Sequence, residues 1–385
     1  MLRLERLELR RVMATFTVTN ANDSGAGSLR QAMLDAESAA GDDTIQVAGT
    51  LAGSVLNLTS ALPSITSGGG AMTIVGPDRE PGALTVRGNS TFRLLTIGAG
   101  ATGRIIGLGF ERGSAASAGA IIVGGTLVAE DCAFFDSTAT NVGGAILING
   151  TGTLLRCVFA RNSSTGGGGA LQFNGAQLTI DTCTFTDNTS ELGGAIRLLG
   201  TNSTITRSSF VGNVTASDAG GALFVADAGV NLALSNCTFA ANSSATTGGA
   251  IGMSAGVAVF NNLTVTGNFS TNEGGGIHQS GGTLDITHGT IVGNADFSNT
   301  AQSAGGVSKI GGTLNVRNTI ISQNRRAGAS GFNDVDVADL NVNGANTLSA
   351  AAPVVGALRD NGGPAPTMAP LPGSSVVDGA SNTNA

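Results

Sequence analysis

Eight positions recur three residues ahead of a bulky apolar marker: Asp131, Arg156, Thr182, Arg207, Asn236, Asn262, His288 and Asn318. The position before each adds Glu130, Asp181 and Arg317. Carboxylates that sit together, or beside Arg or Lys, can carry acid–base and nucleophilic chemistry at a glycosidic bond. Asp131, Arg156, Asp181 and Arg207 are therefore the candidate catalytic set. The same residues also fit a solvated face joined by cross-coil ion pairs, Asp131–Arg156 and Arg156–Asp181, each contributing about 0–1 kcal/mol.

Other chemistry is sparse. The chain has two histidines, His278 and His288. A lone outward histidine on a strand is usually a surface residue. Asp334, Asp336 and Asp339 form a D-x-D-x-x-D run. Oxygen ligands in that density suit Ca²⁺, although the run lacks the fixed loop of an EF-hand and reads equally as an acidic loop. Cys132, Cys157, Cys183 and Cys237 show no C-x-x-C spacing, so they do not read as a metal site. The Gly-rich strings fall at regular intervals rather than after a lone strand, which argues against a phosphate loop or a nucleophile elbow. No cofactor is expected.

The elements that would position these residues come from a repeat. F-x-x-N occurs as Phe159…Asn162, Phe185…Asn188, Phe210…Asn213 and Phe239…Asn242. Looser copies end at Asn268, Asn294 and Asn324, and Phe134…Ser137 leads the series, with Phe110…Gly113 a candidate copy before it. Successive Asn residues are 26, 25, 29, 26, 26 and 30 apart. Each is followed by a Gly pair, as in Gly168-Gly169-Ala170-Leu171 and Gly193-Gly194-Ala195-Ile196. Between these corners lie alternating apolar residues, such as Leu171/Phe173 and Leu178/Ile180. A fixed period with small drift marks a solenoid, and period-two alternation marks strands with one buried face. The expected fold is all-β: a right-handed, single-stranded parallel β-helix of the pectate-lyase type, with about ten or eleven coils.

Stacked coils lie roughly 4.8 Å apart, so equivalent residues form columns. Phe134, Phe159, Phe185, Phe210 and Phe239 should stack as rings. Asn162, Asn188, Asn213, Asn242, Asn268, Asn294 and Asn324 should form an amide ladder, each donating to one neighbouring coil and accepting from the other. Two residues before the rings, Cys132, Cys157, Cys183, Ser208 and Cys237 read as a column of small buried side chains. Disulfides between neighbouring coils are the other reading, and strand neighbours suit that geometry poorly.

Such a stack needs caps. Residues 28–39 read as one short N-terminal helix with Leu29, Ala32, Met33 and Ala36 as its apolar face, and with Ser28 and Gln31 in a capping-box pattern. The expected order is an export-type motif over 1–14, a cap over 15–43, the β-helix over 44–330 and a mostly extended segment over 331–385. At the last coils Gln279 and Lys309 stand where Met253 stood, which reads as tapering. Net charge is −7, which disfavours nucleic acid and anionic membrane as partners. No apolar run reaches the length of a membrane span.

Three segments resemble known families. Residues 16–36, FTVTNANDSGAGSLRQAMLDA, followed by MTIVGP and LTVRGN, resemble the opening of secreted β-helix proteins with polymorphic outer-membrane protein repeats. The paired GGAI and FxxN motifs over 118–324 match those repeats. Residues 358–380 are similar to the choice-of-anchor Q domain through Asn361-Gly362-Gly363-Pro364, Thr367 and Gly373-Ser374. Ser375 stands where that domain usually has Pro, and the ending after Asp378-Gly379 is diverged. LERLELRRVMA resembles a short N-terminal motif of large exported bacterial surface proteins. The resemblance implies an extracellular or cell-surface location and a structural, adhesin-like role. Implied partners are an extracellular polysaccharide or a host or cell-surface ligand. The alternative is a polysaccharide-active enzyme, a lyase or glycoside hydrolase, or a carbohydrate-binding surface. The absence of Trp and Tyr weighs against tight sugar stacking.

Overall fold

The computed structural model describes residues 13–298, 303–328, 331, 334–336, 341–342, 347–348, 355–363, 365–372 and 374. The chain winds as a right-handed parallel β-solenoid of about 12 turns. All named strand pairs are parallel and fall into three sheets, the broad one beginning at Thr15–Val18 and the other two at Leu95–Ile97 and Ser114–Ser117. The broad sheet takes two strands from a typical coil, for example Gln177–Asp181 and Thr184–Thr186. A second sheet takes a three-residue strand such as Leu171–Phe173, and a third takes a two-residue strand such as Ser163–Ser164.

Register is what the repeat dictates. Leu56, Val86, Phe110, Phe134, Phe159, Phe185, Phe210, Phe239, Val265, Ile291, Ile321 and Leu348 are partners in one continuous column. The rings from Phe110 to Phe239 stack face to face, with centroids 5.4, 4.7, 4.7, 4.8 and 4.4 Å apart. Full burial of each ring contributes about 1.5–3 kcal/mol.

The ladder beside it is continuous. Nδ2 of Asn162, Asn188, Asn213, Asn242, Asn268 and Asn294 each donates to Oδ1 of the next Asn at 2.9–3.0 Å. The same Oδ1 also accepts the preceding coil's backbone N–H, as in Asn162 to Asn188 at 3.0 Å. Nδ2 reaches back to a carbonyl as well, Phe159 O in the case of Asn188. All seven residues are buried, and each buried polar group is met.

The Gly pair has two separate causes. Gly168 adopts φ +65°, a left-handed corner. Gly169 has no room for a side chain, since a Cβ would lie 2.2 Å from Gly194 O. The next coil's backbone passes where that Cβ would be.

The helix α1 covers Leu29–Ser38, with Ser28 as N-cap and Leu29, Ala32, Met33 and Ala36 buried. Only half of the capping box forms. Ser28 Oγ accepts from Gln31 N at 3.2 Å, but the Gln31 amide turns to Asp35 because Gly25 O already takes the Ser28 N–H. Asp23 instead holds Arg30 at 2.6 Å.

The solenoid is longer than the expected 44–330. Thr15–Val18 and Asp43–Val47 already pair with each other, residues 335–336 extend the second sheet, and residues 341–342 and 347–348 extend the broad one. What reads as tapering is a change of core chemistry. Gln279 is fully buried, and its Nε2 donates to the carbonyls of Gly281, Gly282 and Thr313.

The C-terminal segment is not simply extended. Arg359 and Thr367 form an antiparallel bridge, as do Val355 and Pro370. Asn361 Nδ2 fastens the turn by donating to Thr367 O and Oγ1, both at 3.0 Å. This hairpin lies on the outer face of the broad sheet. Val355 and Met368 pack with Val292 and Ile320, and Thr238 Oγ1 donates to Pro366 O at 2.5 Å. Most of the 1–14 motif and, in the Q-like segment, Pro364, Gly373 and residues 375–380 lie outside the described residues.

Candidate functional site

Between its two broad-sheet strands each coil must bend. Asp131, Arg156, Thr182, Arg207, Asn236, Asn262, His288 and Asn318 all make that bend at φ 47–56°. Asn and Asp tolerate this left-handed conformation better than most residues. The corner aims their side chains away from the core and stacks them into an outward strip.

The strip is a chain of ion pairs. Arg156 grips Asp131 with two bonds, 2.5 Å from Nε and 2.9 Å from Nη2. Glu130 accepts from Arg104 at 2.7 Å, with Arg156 at 3.8 Å and Arg79 at 3.9 Å. Asp181 takes Arg207 and, at 2.6 Å, Thr206 Oγ1. Asp131–Arg156 therefore forms as expected, whereas Arg156–Asp181 does not. Arg156 leans toward the preceding coil, and Asp181 is claimed by Arg207 from the following one. Burial disfavours ionisation of Asp181, but the hydrogen bonds from Thr206 and Arg207 outweigh it and hold its carboxyl below the usual range. That is the opposite of what a general acid needs.

A second outward corner lies five residues further on. Arg112, Asp136, Arg161 and Asp187 are left-handed there, φ 51–55°. Arg161 binds Asp136 through two bonds of 2.8 and 3.0 Å and lies 5.6 Å from the Phe135 ring centroid. Glu111 is held by Arg87 at 2.8 Å. Sequence reasoning missed this strip. The signal was the residue before Ser137 and before the first ladder Asn residues, which alternates in charge from Asp136 to Arg161 to Asp187.

Only one of the two histidines departs from the surface reading, since His288 is exposed. His288 sits among amides, Nδ1 3.2 Å from Asn261 Oδ1 and Nε2 3.4 Å from Asn318 Nδ2. His278 is not a surface residue. It is 5% exposed, its Nδ1 is 3.5 Å from Glu273, and burial pushes its pKa down to about 4.

Asp334 of the acidic run is buried and bonded to Asn324, Asp336 lies in a strand opposite Ser308, and Asp339 is outside the described residues. Among the described residues no group of three or more His, Cys, Asp or Glu is arranged to hold a metal ion. All four thiols are free and buried. Burial raises Cys132 and Cys183 and pushes Cys237 up to about 12. Their column continues by the same chemistry, since Ser208 Oγ accepts the Cys183 N–H at 3.0 Å. A cavity of about 290 Å³ beside the ladder is lined by Gly293, Asn294, Ala295, Gln323 and Arg325, with no carboxylate.

Comparison with known proteins adds one match. Residues 119–291 match the family model described as a right handed beta helix region. The chain is similar to that family over those residues. No curated protein matches it. Among the described residues no helix is long and apolar enough to cross a membrane.

Proposed function

We propose that this chain is an exported, non-catalytic β-helix, an adhesin-like scaffold that presents a long lateral surface. One observation carries the non-catalytic part. The outward carboxylates that sequence and fold bring together, Glu130, Asp131, Asp136 and Asp181, each bind a guanidinium. Engaged this way, they lack a free, proton-bearing partner for acid–base work. Export and a cell-surface location rest on the resemblance to polymorphic outer-membrane and choice-of-anchor proteins.

A polysaccharide-active reading keeps one point in its favour: Arg104, Glu130, Asp131 and Arg156 converge on one outward corner. Incubation with a panel of acidic and neutral polysaccharides separates the two. The scaffold reading expects retention without turnover. Unsaturated products or new reducing ends that vanish in Asp131→Asn would establish the enzyme instead.

A further inference from the structure

The second sheet presents a different outward column. The middle residues of its strands, Leu147, Gln172, Arg197, Phe224, Gly252 and His278, are partners in register. The loops leading into the Gly pairs fold over this face. Val142, Gly167 and Leu192 are bridged in sequence there. Gly167 interrupts the cover. A Cβ on it would lie 2.4 Å from Arg197 Cδ and 3.3 Å from Gln172 Oε1, so the missing side chain is what admits the arginine stem.

Arg197 then differs from five arginines along the broad sheet. Arg87, Arg104, Arg156, Arg161 and Arg207 each hold a carboxylate. Among the described residues no carboxylate lies within 4 Å of Arg197, its Nε is buried without an acceptor, and the residue as a whole is half-buried. Burial is the larger influence on this guanidinium, and Asp218 acts on it through space. Beside it Gln172 is 6% exposed, and its Oε1 is also buried without a partner. Gln172 Nε2 is fixed on Asn174 at 3.1 Å, and Asn174 on Asn149 at 2.9 Å. A buried donor and a buried acceptor left unmet cost about 1–3 kcal/mol each, which a ligand that pairs with them restores.

We propose that Arg197 and Gln172 form a subsite for a uronate unit of an acidic polysaccharide, with Phe224 as the adjoining platform. The guanidinium fork matches a carboxylate in two parallel bonds. Pairing Nε and the Gln172 oxygen with the ligand requires the Gly167 loop to lift and the Gln172–Asn174 bond to open, since both atoms are buried; the amide oxygen then accepts a sugar hydroxyl. Phe224, half-buried and partnered with Arg197 one coil on, is the adjoining aromatic ring against which the pyranose would stack. A cation, an amide and an aromatic ring in one column favour a sugar acid over an acidic peptide, which would use the cation alone. The inference goes beyond the scaffold reading, and binding stands even if export or the absence of turnover does not.

The test is calorimetric titration of the full chain with oligogalacturonate, its methyl ester and poly-glutamate. Binding of the free acid is expected, weakened about tenfold or more in Arg197→Gln and only partly in Arg197→Lys, the loss of one charge-assisted pair. Asp218→Asn, which removes the competing charge, is expected to tighten binding, and it remains informative if Arg197→Gln folds poorly. Unchanged affinity in Arg197→Gln, no tightening in Asp218→Asn, or equal binding of the methyl ester overturns the site. Equal binding of poly-glutamate overturns the sugar assignment, and no binding of the free acid overturns the proposal entirely.

Discussion

Asp334 terminates the amide ladder: its Oδ1 accepts both the backbone N–H and the Nδ2 of Asn324, at 2.7 and 2.8 Å. A carboxylate oxygen stands where the next asparagine oxygen would be, supplied from ten residues on instead of a full coil. Asp334→Asn should preserve the terminus. Asp334→Ala should destabilise the last coils by about 1–3 kcal/mol, because two buried donors lose their acceptor. Hydrogen exchange at Ile320–Ser322 reports this locally. Added Ca²⁺ should leave the melting temperature unchanged, and a Ca²⁺-dependent rise would restore the cation reading of the acidic run.

The ring stack makes a separate prediction. Phe185 is fully buried between Phe159 and Phe210, 4.7 and 4.8 Å from them. Phe185→Ala should cost about 3–5 kcal/mol, and Phe185→Leu clearly less. Chemical denaturation of the two variants measures the difference. Near-equal losses would mean that stacking matters more than filled volume.

The thiol column should be inert. Cys132, Cys157, Cys183 and Cys237 are buried, and burial holds Cys237 up at about 12. A thiol reagent at neutral pH should label none in the native protein and all four after unfolding. Cys183→Ser should fold normally, since Ser208 already serves in the same column. Rapid native labelling at one position would contradict the packing.

His278 sets a pH dependence. Its ordinary value of 6.5 falls to about 4 through burial. Between those values the unfolded chain takes up a proton that the folded chain refuses. Stability is therefore fully present above about 6.5 and declines as pH falls toward 4, by up to a few kcal/mol. The Glu273 carboxylate 3.5 Å away reduces that slope. Thermal melts across this window should show the decline in the parent and a shallower one in His278→Gln. Identical slopes would remove His278 as the cause.

Columns whose cause lies inside one coil were legible in the sequence. The Phe and Asn positions, the Gly pairs and the buried face of α1 follow from spacing alone, because a fixed period forces equivalent residues together. Partner choice between coils was not legible. Arg156 had a carboxylate available on either side, and only the lean of its side chain assigns it to Asp131. Nor was the covering of the second sheet. Alternation marked Gln172, Arg197 and His278 as outward, but loops folding back over them make outward and exposed different things. The hairpin at 355–370 was hidden for a related reason. Its turn residues were visible, while the face that receives it, near Thr238, lies more than a hundred positions earlier.

That hairpin changes how the molecule comes apart. A solenoid whose coils touch only their neighbours can unravel one rung at a time from an open end. Here a single strap touches the coil of Thr238 and also those of Val292 and Ile320. Fraying from that end must first release contacts spread over several rungs, so those rungs are lost as one block. At the far end α1 packs on the first two paired strands, so unwinding there must also displace the helix.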